Sequence, residues 1–339
     1  MGSLLRQYHE LPPGLLDAEP RQLADLLGGP ALIHLPGRRR QPLFVSVLLH
    51  GNETTGVFAI QDLLRQFQGR ELPRALSLFI GNVEAARDGV RRLAGQPDYN
   101  RVWPGTEHSD SPERRLMSEV FDIMQLRQPF TSVDVHNNTG INPHYACINR
   151  IDHRFMHLAR LFSRTMVYFI RPTGVQSMAF ASLCPAVTVE CGKAGQSAGE
   201  LHVREFLDAC LHLSDIPAHP VAPHDVDLYH TVATVRVPRV FSFGFGEQPV
   251  DICFSNDLDH LNFRELPPGT TLARLNGVDG MPVEVVDEQG LEVAQRFFRV
   301  EDGLLRTHRA VMPAMLTLDE RVIRQDCLGY LMERYPLPA

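Results

Sequence analysis

The chain has 339 residues, 44% hydrophobic and 22% charged, with a formal net charge of −7. This length suits a large domain with a smaller companion, and the composition excludes disorder as the default. The acidic balance excludes nucleic acid as a main partner, because no basic excess exists to neutralise phosphates. The arginines at 38–40, the one basic cluster of note, read as a solvated turn. No apolar run approaches the ~18 residues that span a bilayer, so no membrane partner is expected. The N-terminal text lacks an apolar core followed by a small-residue cleavage site, so no signal peptide is expected either. Gly2 invites myristoylation, but Arg6 stands where that signal wants Ser or Thr. Six cysteines, Cys147, Cys184, Cys191, Cys210, Cys253 and Cys327, are scattered without a CxxC pair. They read as reduced, buried thiols of a cytoplasmic protein.

Along the chain, 43–49 is a short apolar run that predicts a buried strand. Residues 57–68 carry Val57, Ile60, Leu64 and Phe67 at helical spacing, with Gly69 as the stop. Strands follow at 75–81, 131–136, 166–171 and 186–191, with helices at 112–127, 152–164 and 197–215. The order predicts an α/β domain, helices flanking a parallel or mixed sheet. Pro217, Pro220 and Pro223 then mark a linker. Beyond it, short runs at 231–237, 240–245 and 283–287, separated by Gly, Pro and Asp, predict a smaller β-rich domain. The expected division is 1–218 and 225–339.

The sharpest chemical feature is His50-Gly51-Asn52-Glu53, between a strand and a helix. Strand C-terminal ends are where ligands bind in an open α/β sheet, and zinc accepts imidazole nitrogen and carboxylate oxygen. Taken alone, the tetrapeptide reads first as a strand-end histidine near a glutamate favoured by a helix dipole. A third candidate ligand, His136, ends the run 132–136. Asp134, two positions earlier on the same face, either orients that imidazole or is satisfied by backbone donors. Glu190 ends the run 186–190, where a buried acid needs a partner or a task. Beside activated water it suits a general base. Arg87 and Arg92 read as a solvated helix face, whereas Arg91 and Arg101 are candidates for gripping a carboxylate or an oxyanion. Ser177 and Ser182 lack a G-x-S-x-G context, and Cys191 reads as core.

Together HGNETTG at 50–56, GNVEAARDGVR at 81–91, NR at 100–101, DVHNNTG at 134–140 and VECGKAGQ at 189–196 resemble the succinylglutamate desuccinylase/aspartoacylase family, relatives of the zinc carboxypeptidases. The resemblance covers roughly 43–215. It implies a zinc-carboxypeptidase-like mixed sheet flanked by helices, with a β-rich C-terminal domain that partly covers the site. It also implies one zinc per chain on His50, Glu53 and His136, and Glu190 as general base. By the same match, Arg91 polarises the scissile carbonyl, and Asn100 with Arg101 binds the substrate α-carboxylate.

Two departures stand out. Val83 replaces the proline usual after the asparagine of the GN segment. The arginine that aspartoacylase-like proteins carry about ten residues before the catalytic acid is missing from the stretch 176–180, and Arg171 has the wrong spacing. An N-acyl amino acid with a neutral or apolar side chain is therefore the expected small-molecule substrate, rather than N-acetylaspartate. A metallocarboxypeptidase acting on short peptides and a non-catalytic metal-binding relative are the alternatives. The oligomeric state stays open, a homo-oligomer included.

Overall fold

A computed structural model describes residues 4–337, so Gly2 lies outside the described residues. The chain divides into two compact units. The first holds the chain up to Asn137 and His144–Asp227; the second holds Asn138–Pro143 and the described residues from Leu228 onward. Among the described residues, no helix is long and apolar enough to cross a membrane.

The first unit is built on β1 (Arg6–Tyr8), β2 (Ala31–Leu35), β3 (Gly37–Val47), β4 (Leu72–Ile80), β5 (Thr131–His136), β6 (Tyr145–Ile148), β7 (Thr165–Tyr168) and β8 (Ala186–Glu190). Their order across the sheet is β1-β2-β4-β3-β5-β8-β6-β7. The central β4-β3-β5-β8 strands are parallel, while β2 and β6 join them antiparallel. This is the mixed sheet the sequence predicts.

Helices α1 (Leu23–Leu27), α2 (Thr55–Gln66), α3 (Val83–Asp88), α4 (Pro112–Arg127), α5 (His153–Phe162), α6 (Gln176–Phe180) and α7 (Ser197–His212) complete the unit. Strand alternation assigns the two faces. Val47 and Val135 face α2 at Gly56, and α2 packs on α7. Phe44 faces the other way and stacks on Phe180 of α6 with ring centroids 4.4 Å apart. Trp103 and Phe121 meet Phe180 edge-on, closing that layer.

Residues 43–47 of β3 and 75–80 of β4 read as near-continuous apolar runs, as parallel strands covered on both faces should, whereas β5 alternates Val133 and Val135 with Ser132, Asp134 and His136. Thr131–His136 has the bounds that the pattern predicts. Strand β3 starts six residues earlier than expected, because the arginine-rich stretch pairs with β4 across an irregularity between Arg39 and Leu43. Strand β7 stops at Tyr168, short of the expected 171. Strands β1, β2 and β6 and helix α6 are short and carry no periodic signal; the sequence reading missed them.

The second unit contains a four-stranded antiparallel array in the order β13 (Glu284–Asp287), β9 (Asp227–Arg236), β17 (Gly329–Arg334), β16 (Met312–Ala314). Its other sheet runs β10 (Phe243–Phe245), β11 (Ile252–Phe254), β12 (Thr271–Leu275), β15 (Leu304–Thr307), β14 (Phe298–Glu301). Two short helices, α8 (Ala294–Phe297) and α9 (Glu320–Gln325), accompany them. Phe254, Phe297, Ile252 and Val285 lie in its core. The β-rich texture expected after the prolines is present.

One glycine fixes a close approach in the first unit. A Cβ on Gly51 would lie 2.3 Å from the carbonyl carbon of Ala85 and from the nitrogen of Ala86, in α3. Both neighbours are backbone and cannot step aside. Gly51→Ala is expected to destabilise the protein by about 3 kcal/mol or more through overpacking, read by urea denaturation. Wild-type stability in that variant would show that the turn can lift off α3 without loss.

Candidate metal centre and active site

Chain order in the sheet defines where the site forms. From β3 the chain moves outward to β4, then returns to the opposite side of β3 as β5. Such a reversal leaves a crevice beyond the strand C-termini, the usual ligand position in open α/β sheets. His50 follows β3, His136 ends β5 and Glu190 ends β8. His136 and Glu190 are direct register partners on adjacent strands.

The turn after β3 is tightly held. Leu48 has φ 55, a left-handed conformation unusual for a non-glycine residue, of a kind that clusters at functional sites. Its carbonyl accepts Asn82 N at 2.6 Å. Gly51 N donates to the Arg91 carbonyl at 3.0 Å, which ties the turn to the arginine. Val83 N donates to the Gly81 carbonyl at 2.9 Å, a bond that the usual proline could not make.

His50, Glu53 and His136 converge, and all three are buried. Their ligand atoms lie within 4.8 Å of one another, close enough to hold one metal ion. The Glu53 carboxylate faces His50 Nδ1 through Oε1 at 2.8 Å and His136 Nδ1 through Oε2 at 2.8 Å. It also accepts Asn137 N at 3.1 Å.

The outer ring nitrogens have their own carboxylates. His50 Nε2 is 2.9 Å from Asp98 Oδ1, and His136 Nε2 is 2.8 Å from Asp134 Oδ2. Asp134 also accepts the Ser46 hydroxyl at 2.6 Å, so the orienting alternative for Asp134 is the one realised. A neutral imidazole carries one N–H. With that proton given to the outer carboxylate, each Nδ1 turns a lone pair toward the lone pairs of Glu53. Two such contacts around one carboxylate are repulsive unless the rings carry a second proton or a cation sits among them. A nitrogen, nitrogen, oxygen donor set with orienting carboxylates behind the rings fits a zinc ion.

Charge and burial shift these groups in opposite directions. Burial would raise the Glu53 carboxyl, but the His50 and His136 imidazoles outweigh it and hold the group well below the usual range. Burial would likewise raise Asp98, yet His50 and Arg91 hold it low. His136 would be lowered by burial, but Asp134 and Glu53 hold it well above the ordinary histidine range. Glu190 behaves differently. Burial pushes its carboxyl up to about 8; the His136 and Arg91 charges oppose that, while Glu53 and Asp134 reinforce it.

The remaining predicted residues are close by. Arg91 is largely buried, with Nη2 3.0 Å from Asp98 Oδ2 and Nη1 3.4 Å from Glu53 Oε1. Asn100 is buried in a single 3-10 turn, Tyr99–Arg101. Its Nδ2 donates to Asp134 Oδ2 at 3.2 Å and lies 3.1 Å from His136 Nε2, while its Oδ1 accepts Gln176 N at 2.8 Å. Arg101 Nη1 donates to the Asn100 carbonyl at 2.9 Å.

Asp98 is the functional-site residue that sequence reasoning missed. It pairs with His50 and Arg91, and its Oδ1 accepts Asn100 N at 2.8 Å. Its position two residues before the Asn-Arg pair was the available signal. Cys191 is buried core, as expected; its thiol donates to the His136 carbonyl, and burial holds it well above its ordinary value.

The stretch 176–180 carries no cation. Gln176 Nε2 donates to Ser132 Oγ at 2.6 Å, and the Ser177 hydroxyl joins Asn149 and Thr188. Arg171 is exposed and pairs with Glu107.

The succinylglutamate desuccinylase/aspartoacylase catalytic-domain model matches residues 41–216, more than half of the 339-residue chain. The chain belongs to that family. No curated protein sequence matches it. Among solved structures, it is similar to a succinylglutamate desuccinylase from Chromobacterium violaceum, with 18% identity and a TM-score of 0.57, over 89% of this chain and 87% of that one. It is similar to murine aminoacylase 3, with 16% identity and a TM-score of 0.58, over 88% of this chain and 96% of that one. A succinylglutamate desuccinylase/aspartoacylase from Rhodobacter sphaeroides has 14% identity and a TM-score of 0.58, over 89% and 88% of the two chains. At these identities the likeness establishes the fold.

The buried Glu190 gives a pH test in metal-free protein. Its folded-state value, about 8, lies above the ordinary glutamate value of 4.5. The folded chain then holds an extra proton between those limits. The stability it contributes is complete below about 4.5 and is lost as pH rises through 8. Relative to Glu190→Gln, the wild type should lose stability between about pH 5 and 8 in denaturant titrations. Parallel curves for the two proteins would contradict the shift.

Proposed function

We propose that the protein is a zinc-dependent amidohydrolase that cleaves an N-acyl amino acid into a carboxylic acid and a free amino acid. The observation that carries this reading is the convergence of two imidazole Nδ1 atoms on the Glu53 carboxylate, with Glu190 on the adjoining strand end. His50, Glu53 and His136 would hold the ion. When bound there, zinc supplies Lewis acidity toward water and the amide carbonyl.

The chain's own groups divide the remaining work. Glu190 takes a proton from the attacking water and delivers it to the departing amine. Its raised affinity for protons suits the second half of that task. Arg91 adds positive charge beside the developing oxyanion. Arg101 grips the α-carboxylate of the amino acid, while the Asn100 amide, held against Asp134 and His136, sets the turn that carries it. The neutral groups at 176–180 support a substrate whose side chain is neutral or apolar. The buried thiols support a reducing, cytoplasmic setting.

Release of free amine from N-acyl amino acids and short peptides, with and without added zinc, tests the proposal. Zinc-dependent turnover is expected, with kcat/KM about tenfold or more higher for a neutral N-acyl amino acid than for N-acetylaspartate. Glu190→Gln should lower kcat by about 10²–10⁴-fold while zinc content is unchanged. Turnover of peptides alone, or an undiminished rate in the Gln variant, would contradict the assignment.

A further inference from the structure

A cavity lies toward the opposite end of the same sheet from His50. It has a volume of about 360 Å³, and its lining includes His9, His34, Gly37, Arg40, Ala75 and Arg127. His34 is near the end of β2, Gly37 and Arg40 open β3, and Arg127 closes α4. The cavity thus sits beside the amino end of β3, whereas His50 follows its carboxyl end.

Its charges are of one sign. No carboxylate lines the cavity among the described residues. The neighbouring arginines of the 38–40 cluster are occupied: Arg38 lies 3.6 Å from Glu71, and Arg39 donates to the His212 carbonyl at 3.3 Å. Arg40 and Arg127 have no ion-pair partner among the described residues. Both are exposed, so their guanidinium groups are not committed to the core.

One lining residue carries an independent sign of a ligand. His34 is only 3% exposed. Its Nδ1 meets the Ser77 hydroxyl at 2.9 Å, while its Nε2 is buried without any hydrogen-bond partner. A buried polar atom left unmatched is costly unless something pairs with it. Where Ser77 donates to Nδ1, the ring proton resides on Nε2, making it a donor. The His9 ring lies over His34 with centroids 5.7 Å apart. Burial, then the Arg127 and His9 charges, lower the His34 imidazole to about 4, so the ring is neutral at neutral pH.

We infer that this cavity is a binding site for a small oxyanion, the phosphate or carboxylate group of a metabolite, held by Arg40 and Arg127 over the His34 imidazole. Guanidinium forks match both groups in bidentate geometry. The volume leaves room for a ligand larger than the anionic group alone. The site is separate from the residues proposed for catalysis and does not depend on that reading.

Calorimetric titration of the full chain with inorganic phosphate, and separately with succinate, tests the inference and distinguishes the two sources of the oxyanion. Saturable binding of at least one is expected at neutral pH, weakened tenfold or more in both Arg40→Gln and Arg127→Gln. The two exposed positions should tolerate substitution, and any amide-hydrolysing activity should be unchanged. A shift of the His34 ring resonances on titration would place the anion at the cavity. Absence of saturable binding for both probes, or binding that both variants retain in full, would overturn the site.

Discussion

The carboxylate of Glu53 lies between two imidazoles, and the rest of the first unit is arranged to keep it there. Each ring shows it Nδ1 because the opposite nitrogen is claimed by an aspartate, Asp98 for His50 and Asp134 for His136. Those aspartates are themselves held, by Asn100 N and Arg91 on one side and by Ser46 on the other. Without the outer carboxylates the rings could turn and the three donors would cease to share one focus. The strained backbone at Leu48 and the close contact of Gly51 with α3 are local consequences of bringing His50 and Glu53 to that point.

The same arrangement explains a polar layer inside an otherwise apolar sheet. Ser46, Ser132, Asp134, His136, Thr188 and Glu190 occupy alternate positions on β3, β5 and β8, on the face toward α6. Asn100, Gln176 and Ser177 meet Asp134, Ser132 and Thr188 from that side, and Asn149 accepts from Ser177 behind them. Buried polar groups are tolerated because they bond to one another. The other face, toward α2 and α7, stays apolar. One side of the sheet therefore carries chemistry while the other supplies hydrophobic stabilisation.

Much of this was legible in the residue pattern, for physical reasons. Parallel strands buried on both faces leave apolar runs such as 43–49, while 131–136 alternates Val133 and Val135 with polar residues, and strand ends bearing His or Glu present a group that needs a partner. His136 and Glu190 were visible for that reason, His50 and Glu53 stood out by their spacing between a strand and a helix once His136 joined them, and the structure brings the four together. Asp98 was not visible. It lies outside regular structure, and its importance comes from proximity to His50 across 48 positions. The short β1, β2 and β6 strands and the five-residue α6 escaped because tertiary pairing, not local periodicity, forms them. The arginines at 38–40 looked like a solvated turn, yet each has a different environment, and only Arg40 lines the basal cavity.

X-ray absorption at the zinc edge of the protein, purified and loaded with one equivalent of zinc, is the most direct test of the central arrangement. The geometry requires a first shell containing two imidazole nitrogens at about 2.0–2.1 Å and carboxylate oxygen at about 2.0–2.2 Å, with no sulfur. His136→Ala should remove one imidazole from that shell. A shell containing thiolate, or an unchanged spectrum in the His136 variant, would show that the metal binds elsewhere and that the buried Glu53–histidine cluster is held together by protons alone.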